Sequence, residues 1–192
     1  SIKLFLSYSY VHGDEFEEEQ EISVRLIEDT LFASGIYLSS KTIPLVTNKS
    51  AIGFSRFTVN KPGDSLLTIP LTMTYGNLLL NLAKQGVSSR EMRESTKGIA
   101  FDPGVDNKLI CGFDLSNEFS RIIVYYHNSN EDTVSNQYRL RFDSPLSKHY
   151  SNYTTDRSSS TLSTIDMKNL NEFNLNDKIY WQSGSGIYPM ID

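Results

Sequence analysis

The sequence predicts a mainly β protein, a β-sandwich of jelly-roll type with two short inserted helices, and three observations carry this prediction. The run from Ile122 to Tyr126 contains only β-branched and aromatic residues, which is typical of a strand covered on both faces. Apolar and charged residues alternate from Tyr138 to Phe142, which indicates a strand with one buried and one wet face. Asn128 to Asp132 lies between them and is rich in turn-forming residues. We therefore expect a β-hairpin whose first strand is central.

The chain opens with two further predicted strands. In the first, Ile2 to Val11, alternation places Tyr8 and Tyr10 on the same face as the leucines. The loop from His12 to Glu21 carries six carboxylates, which could hold a cation but are more often simply solvated when crowded on a loop. Alternation resumes from Ile22 to Leu26. Because the two strands are neighbours in sequence, we expect them to form a hairpin.

In the middle of the chain, the spacing of apolar residues changes from every second residue to about every fourth. Thr42 to Ser55 reads as irregular, and short strands at Phe57 to Val59 and Leu66 to Leu71 flank a Pro-Gly turn. Two short helices then follow, at about Thr74–Gln85 and Ser88–Thr96.

The helix ends carry their own signals. Gly86 stands where a glycine commonly follows the last turn of a helix. Ser88 and Glu91 have the spacing of a capping box, in which each residue satisfies a backbone N–H of the other. We expect both helices to cover one end or one edge of the sandwich.

The later elements are shorter. Strands are expected at Lys97 to Phe101 and Lys108 to Leu115, joined by a turn from Asp102 to Asn107. A long ordered loop is expected from Ser144 to Thr164, and a last strand from Ile179 to Trp181.

Composition limits the classes of function. A net charge of −5 with a pI near 5.2 argues against a nucleic-acid partner and against an anionic membrane surface. Cys111 is the single cysteine, so no intrachain disulfide can form. The 192 residues suit one domain, 1–192, and the start within a strand leads us to expect a fragment of a longer protein or a mature form.

Three aspartates are candidates for chemistry. Asp102, Asp106 and Asp114 flank one predicted β-turn, and glycoside hydrolysis needs two carboxyl groups roughly 5–9.5 Å apart. Asp102 and Asp106 could also hold Ca²⁺, the one cofactor that the sequence suggests. Aspartates at turns more often serve the backbone.

The aromatic residues of the last strand are candidates for binding a glycan. Tyr180, Trp181 and Tyr188 could offer flat faces to sugar rings, with hydrogen bonds from Gln182. The alternative is that they complete the core. Because neighbouring residues of a strand point to opposite faces, we expect Trp181 to be buried and Tyr180 or Tyr188 to be exposed.

Several short motifs in a fixed order resemble one family. They are L-F-L-S-Y-S-Y, I-S-V-R-L-I, I-Y-L-S, L-T-I-P-L, Y-G-N-L-L, K-G-I-A-F, S-R-I-I-V-Y-Y-H, H-Y-S-N-Y-T-T-D-R-S-S-S and I-Y-W-Q-S-G-S-G-I. Their order, from Lys3 to Ile191, resembles the domain-of-unknown-function family numbered four-two-seven-zero, found in lipoproteins of Bacteroidetes. The chain departs from that family after Gly186, where Ile187 and Tyr188 stand in place of basic residues.

The resemblance implies a location rather than a reaction. It implies an exported lipoprotein at the outer membrane or cell surface, held by a lipid anchor that lies outside this chain. It implies no activity, so no catalytic residue is assigned. It also implies O-glycosylation at Asp followed by Ser or Thr and then a small or aliphatic residue, a motif present at Thr30, Ser65 and Thr133.

The sequence therefore supports one leading function and two rivals. The leading hypothesis is a non-catalytic module of the cell envelope that binds a glycan or a surface protein. The first rival is a glycan hydrolase that uses Asp102, Asp106 or Asp114. The second rival is a purely structural spacer. A cleft with two close carboxylates would favour the enzyme, and an exposed aromatic strip would favour glycan binding.

Overall fold

The structure, a computed structural model, describes residues 1–32, 34–39, 41–46, 50–59, 66–128, 135–143, 147–153, 156, 158 and 159. Within these residues the chain is mainly β, with eight strands in two antiparallel sheets and two short helices. The strands are β1 (Ile2–His12), β2 (Gln20–Leu26), β3 (Gly53–Phe57), β4 (Leu66–Pro70), β5 (Ile99–Pro103), β6 (Ile110–Phe113), β7 (Arg121–Tyr126) and β8 (Asn136–Arg141). The helices are α1 (Met73–Lys84) and α2 (Ser89–Thr96).

The predicted β-sandwich with inserted helices is confirmed. One sheet has the order β4-β1-β7-β8, with β6 also paired to β1, and the other has the order β3-β2-β5. Apolar side chains from both sheets and both helices form one buried cluster, which includes Leu4, Val24, Leu79 and Met92. The described strands divide five and three, and the finer expectation of a jelly roll, which requires two Greek keys, stays a prediction.

The central hairpin is confirmed. β7 lies between β1 and β8, and Ile122, Ile123 and Val124 are all buried, as expected for a strand covered on both faces. On β8 and directly after it, the residues at 138, 140 and 142 are half-buried, while those at 137, 139 and 141 are exposed. Both sequence patterns, the unbroken apolar run and the alternating run, therefore predicted the observed burial.

The predicted hairpin of β1 with β2 is wrong. β1 pairs with β4, β6 and β7, whereas β2 pairs with β3 and β5 in the other sheet. Both edges of β1 are occupied by strands that lie more than fifty residues away in sequence. The acidic loop therefore carries the chain from one sheet to the other instead of turning it back.

One residue of β1 faces the opposite way from the prediction. The pairing with β6 shifts register between Tyr8 and Tyr10, which marks a bulge at this point. Tyr10 is consequently 57% exposed, and its ring lies over Gly112, where an added Cβ would collide with it. An aromatic side chain that covers a glycine on the neighbouring strand is a recognised way to complete a sheet surface.

Both helices form where the sequence predicts them, within one residue. α2 begins with the complete capping box, in which the Ser88 hydroxyl accepts from Glu91 N–H and the Glu91 carboxylate accepts from Ser88 N–H. α1 ends in a Schellman motif, in which Gly86 N–H donates to Ala83 and Val87 N–H donates to Leu82. Gly86 has a φ of +68°, a conformation that glycine adopts without strain.

Two strand boundaries differ from the prediction. β3 is Gly53–Phe57, so it begins inside the segment expected to be irregular and ends at the first residue of the predicted strand Phe57 to Val59. β5 continues through Asp102, which was expected in a turn. An isolated bridge joins Gly53 to Leu71, and an added Cβ at Gly53 would collide with the Leu71 side chain. A glycine at position 53 therefore allows the close approach of two strands.

The chain divides by its contacts into two compact units, 1–35 with 43–148 and 36–42 with 149–192. All eight strands and both helices belong to the first unit. In the second, the rings of Tyr37 and Tyr150 stack with centroids 5.3 Å apart, and the Tyr150 hydroxyl donates to the Lys41 carbonyl at 2.8 Å. Part of the segment expected as an ordered loop is thus packed.

Candidate functional site

The outer surface of the three-stranded sheet carries several charged side chains and an exposed aromatic ring. Inward residues of β2, such as Ile22 and Val24, enter the core, so Glu21, Ser23 and Arg25 point outward. We call this surface the charged face, and it also includes Phe54 and Arg56 of β3 and Ala100 and Asp102 of β5.

The register of the strands fixes the arrangement of the charged face. Ser23 stands opposite Phe54 on one side and opposite Asp102 on the other, while Arg25 stands opposite Ala100. The side chains at 23 and 100 are small, whereas those of Phe54, Arg25 and Asp102 beside them are larger. Phe54 and Asp102, which pairs with Arg25, therefore stand on opposite sides of Ser23.

Three ion pairs hold the charged side chains in place. The Arg25 guanidinium lies 2.8 Å from the Asp102 carboxylate, and that of Arg56 lies 2.8 Å from Glu21 and 3.7 Å from Glu19. These side chains are roughly two-fifths to three-fifths exposed, and such pairs contribute about 0–1 kcal/mol each. Their main effect is therefore to orient hydrogen-bonding groups rather than to stabilise the fold.

Phe54 supplies an aromatic surface beside these groups. It is 46% exposed, although folding usually favours burying an aromatic ring. The Arg56 guanidinium lies 5.8 Å from the ring centroid, within the range of a cation–π contact. The ring is thus held by its neighbour while a large part of it stays open to solvent.

Hydrogen bonds of Gln20 and Asn107 support one end of the charged face. Gln20 is 1% exposed, and its Oε1 accepts from the N–H groups of Lys108 and Leu109 at 2.9 and 3.0 Å. Asn107 accepts from Glu21 N–H at 2.7 Å and donates to the Glu21 carbonyl at 2.8 Å. These bonds tie the segment after β5 to the start of β2, so the face rests on a rigid edge.

The three predicted catalytic aspartates occupy separate local structures. Asp102 lies on β5 and pairs with Arg25, and Asp106 is exposed in the following turn. Asp114 accepts from the Ser116 hydroxyl and backbone N–H and from Asn117 N–H, and these bonds lower the pKa of its carboxyl group. Among the described residues no three His, Cys, Asp or Glu side chains come together as metal ligands, and the calcium site at Asp102 and Asp106 stays a prediction.

Most of the predicted binding residues lie outside the described residues. This applies to Tyr180, Trp181, Gln182 and Tyr188, and to the modification sites Ser65 and Thr133. Thr30 is described and is half-buried after β2.

Sequence reasoning missed Phe54, Arg56 and Arg25 as parts of one surface. A signal was present, because E-I-S-V-R alternates apolar with polar residues, and G-F-S-R-F carries its own alternation. Which strands pair, and in which register, decides that these outward residues meet.

Comparisons with known proteins identify no relative. A scan against protein-family models and searches of curated proteins and of solved structures found no match to the chain. In the part of the chain that the structure describes, no helix has the length and apolar character needed to cross a membrane.

Proposed function

We propose that this chain is a non-catalytic binding module that recognises a glycan on its charged face. One observation carries the proposal: Phe54 is 46% exposed on one side of Ser23, and Asp102, which forms an ion pair with Arg25, stands on the other side. Binding sites for sugars need a flat apolar surface together with a few well-placed polar groups, and both are present.

The chemistry of a sugar ring fits this arrangement. One face of a pyranose presents C–H groups that can lie on the Phe54 ring, while its hydroxyls both donate and accept hydrogen bonds. Asp102 offers acceptors and Arg25 offers donors within the same ion pair. Because the pair is half-exposed, exchanging its water contacts for sugar hydroxyls costs little desolvation.

The aspartates favour binding over hydrolysis. A glycosidase needs one carboxyl group with a raised pKa as its general acid, usually one held in apolar surroundings. The hydrogen bonds within its own turn lower the pKa of Asp114, which is the opposite direction. Asp102 is already engaged in an ion pair with Arg25 at 2.8 Å.

A glycan-array screen followed by calorimetric titration tests the proposal. We expect one glycan class to bind the wild type and the Phe54→Ala variant to bind at least about tenfold more weakly, which corresponds to 1.4 kcal/mol. Phe119→Ala is the matched control, because Phe119 is 50% exposed and also has a guanidinium, that of Arg121, 5.6 Å from its ring.

Two results would contradict glycan binding at the charged face. One is that no glycan on the array binds. The other is equal binding by wild type and Phe54→Ala. The first result would leave a surface-protein partner or a structural spacer as the function, and the second would mean that the glycan binds elsewhere on the chain.

The location and modification implied by the family resemblance belong to the same proposal. A lipid anchor outside this chain would hold the module at the outer membrane or cell surface. Thr133, Ser65 and Thr30 would carry O-linked glycan in the native host. Fractionation of that host and intact-mass measurement of the protein test both statements, and the unmodified mass would contradict the second.

A further inference from the structure

A cavity of about 520 Å³ lies away from the charged face, between the end of β2, the helix α1 and the end of α2. Its volume is in the range of about 300–1,000 Å³ that small-molecule sites occupy. Ten residues line it: Leu26, Ile27, Glu28, Asp29, Val46, Tyr75, Leu78, Ser95, Thr96 and Lys97. The segment that contains Val46 forms one wall, because Val46 N–H donates to the Leu26 carbonyl and Glu28 N–H donates to that of Pro44.

Tyr75 places an unpartnered polar group against this cavity. The residue is 6% exposed, and its hydroxyl forms no hydrogen bond with another described residue. Burial raises the pKa of Tyr75 to about 12, so the hydroxyl keeps its proton and remains a donor at neutral pH. Tyr75 lines the cavity, so a ligand there could accept a hydrogen bond from this hydroxyl.

Charges of both signs border the same cavity. Glu28 and Asp29 are adjacent and exposed after β2, and Lys97 is exposed after α2. None of these three side chains forms an ion pair with another described residue, in contrast to the paired charges of the charged face. The remaining lining includes an apolar wall from Leu26, Ile27, Val46 and Leu78.

Lys97 is held at the cavity in a strained backbone conformation. Its φ of 59° and ψ of −54°, with a 2.7 Å bond from Gly98 N–H to the Thr96 carbonyl, describe the rare γ-turn with positive φ. Ile27 N–H donates to the Gly98 carbonyl at 3.2 Å, which ties this turn to the end of β2. Strain of this kind persists where the surrounding structure fixes it, and it is concentrated at functional sites.

We propose that this cavity binds a small zwitterion with an apolar side chain, namely an α-amino acid or a short peptide. Its ammonium group would meet the carboxylates of Glu28 and Asp29. Its carboxylate would meet the ammonium group of Lys97 and accept from the Tyr75 hydroxyl. Its apolar side chain would pack on the wall that includes Leu26 and Leu78. A neutral sugar would form no ion pair with either the carboxylates or Lys97. A simple cation could pair with the carboxylates but would be repelled by the ammonium group of Lys97.

Calorimetric titration with matched probes tests the charge requirement. The probes are L-leucine, the dipeptide Leu-Leu, isopentylamine, which lacks the carboxylate, and 4-methylpentanoate, which lacks the ammonium group. We expect leucine or the dipeptide to bind at least tenfold more tightly than either singly charged analogue. Equal binding by isopentylamine, equal binding by 4-methylpentanoate, or no binding of any probe would overturn the proposal.

Variants locate the binding in the cavity. Tyr75→Phe removes only the hydroxyl, Lys97→Met removes the ammonium group, and the pair Glu28→Gln with Asp29→Asn removes the carboxylates. Each should weaken the tighter probe at least fivefold while circular dichroism reports a folded protein. The control is Glu17→Gln with Asp14→Asn in the exposed acidic loop, which should leave the affinity unchanged. Unchanged affinity in all three cavity variants would also overturn the proposal.

Discussion

The two sheets of this protein differ in how far they bury their inner strands. In the larger sheet, β7 is buried on both faces at three successive residues, Ile122, Ile123 and Val124. In the smaller sheet, β2 buries only alternate residues and presents Glu21 and Arg25 outward. Substitutions in β7 are therefore expected to cost the most stability, whereas the outward face of β2 can vary at little cost.

The largest expected effect breaks the larger sheet. Val124→Asp places a carboxylate in a site that is 1% exposed and has no countercharge, so we expect a loss of at least about 4 kcal/mol and failure to fold. Arg139→Asp, on the exposed face of β8, should fold like the wild type. Circular dichroism and thermal melting distinguish the two. A Val124→Asp protein that melts like the wild type would show that β7 is not central.

The next effect tests the buried hydrogen bonds of Gln20 at the start of β2. Gln20→Leu fills the same space but leaves the N–H groups of Lys108 and Leu109 without their acceptor. We expect a loss of about 1–3 kcal/mol in the free energy of unfolding, measured by urea denaturation. Gln137→Leu on exposed β8 is the control and should change stability by less than about 0.5 kcal/mol. Equal effects would mean that the buried amide adds no support.

A smaller effect is expected on the charged face itself. Asp102→Asn weakens the ion pair with Arg25, whose side chain is 40% exposed. We expect the free energy of unfolding to fall by no more than about 1 kcal/mol, with the loss reduced at high salt. Denaturation curves at low and high ionic strength measure it. A loss of several kcal/mol would mean that this face has a structural role and is not free for binding.

The smallest effect appears only in acid. The pKa of Asp114 is lowered in the folded state, so its contribution to stability is present above the ordinary carboxyl pKa and is lost as the pH falls through the lowered value. Asp114→Asn keeps an acceptor for the turn but cannot titrate. Melting temperatures between pH 5 and pH 2 should therefore fall more steeply for the wild type than for the variant. Identical slopes would contradict the assignment.

Local signals in the sequence predicted local structure well. The capping box at Ser88, the glycine after α1 and the hairpin of β7 with β8 each depend on residues close in sequence. The partners of β1 could not be predicted in this way. Leu4 pairs with Ile69 and Ile122, and the alternation of residues within β1 does not indicate which distant strands lie beside it.

The candidate sites were harder to predict for the same reason. The charged face requires the register of three strands, and the cavity joins Glu28 to Lys97 across about seventy residues. The aromatic platform predicted at Tyr180 or Tyr188 lies outside the described residues and stays a prediction. Aromatic residues are expected to be buried, so an exposed ring such as that of Phe54 can be recognised only from the structure around it.

The arrangement of β1 also has a mechanical consequence. Along its first half β1 is hydrogen-bonded on both edges, to β4 at Lys3–Ser7 and to β7 at Ile2–Phe5. A pull on Ser1 along the strand axis would load these bonds in shear, all at once, instead of opening them one after another. Forced unfolding depends on the barrier to such rupture rather than on equilibrium stability. This end of the domain is therefore built to resist tension.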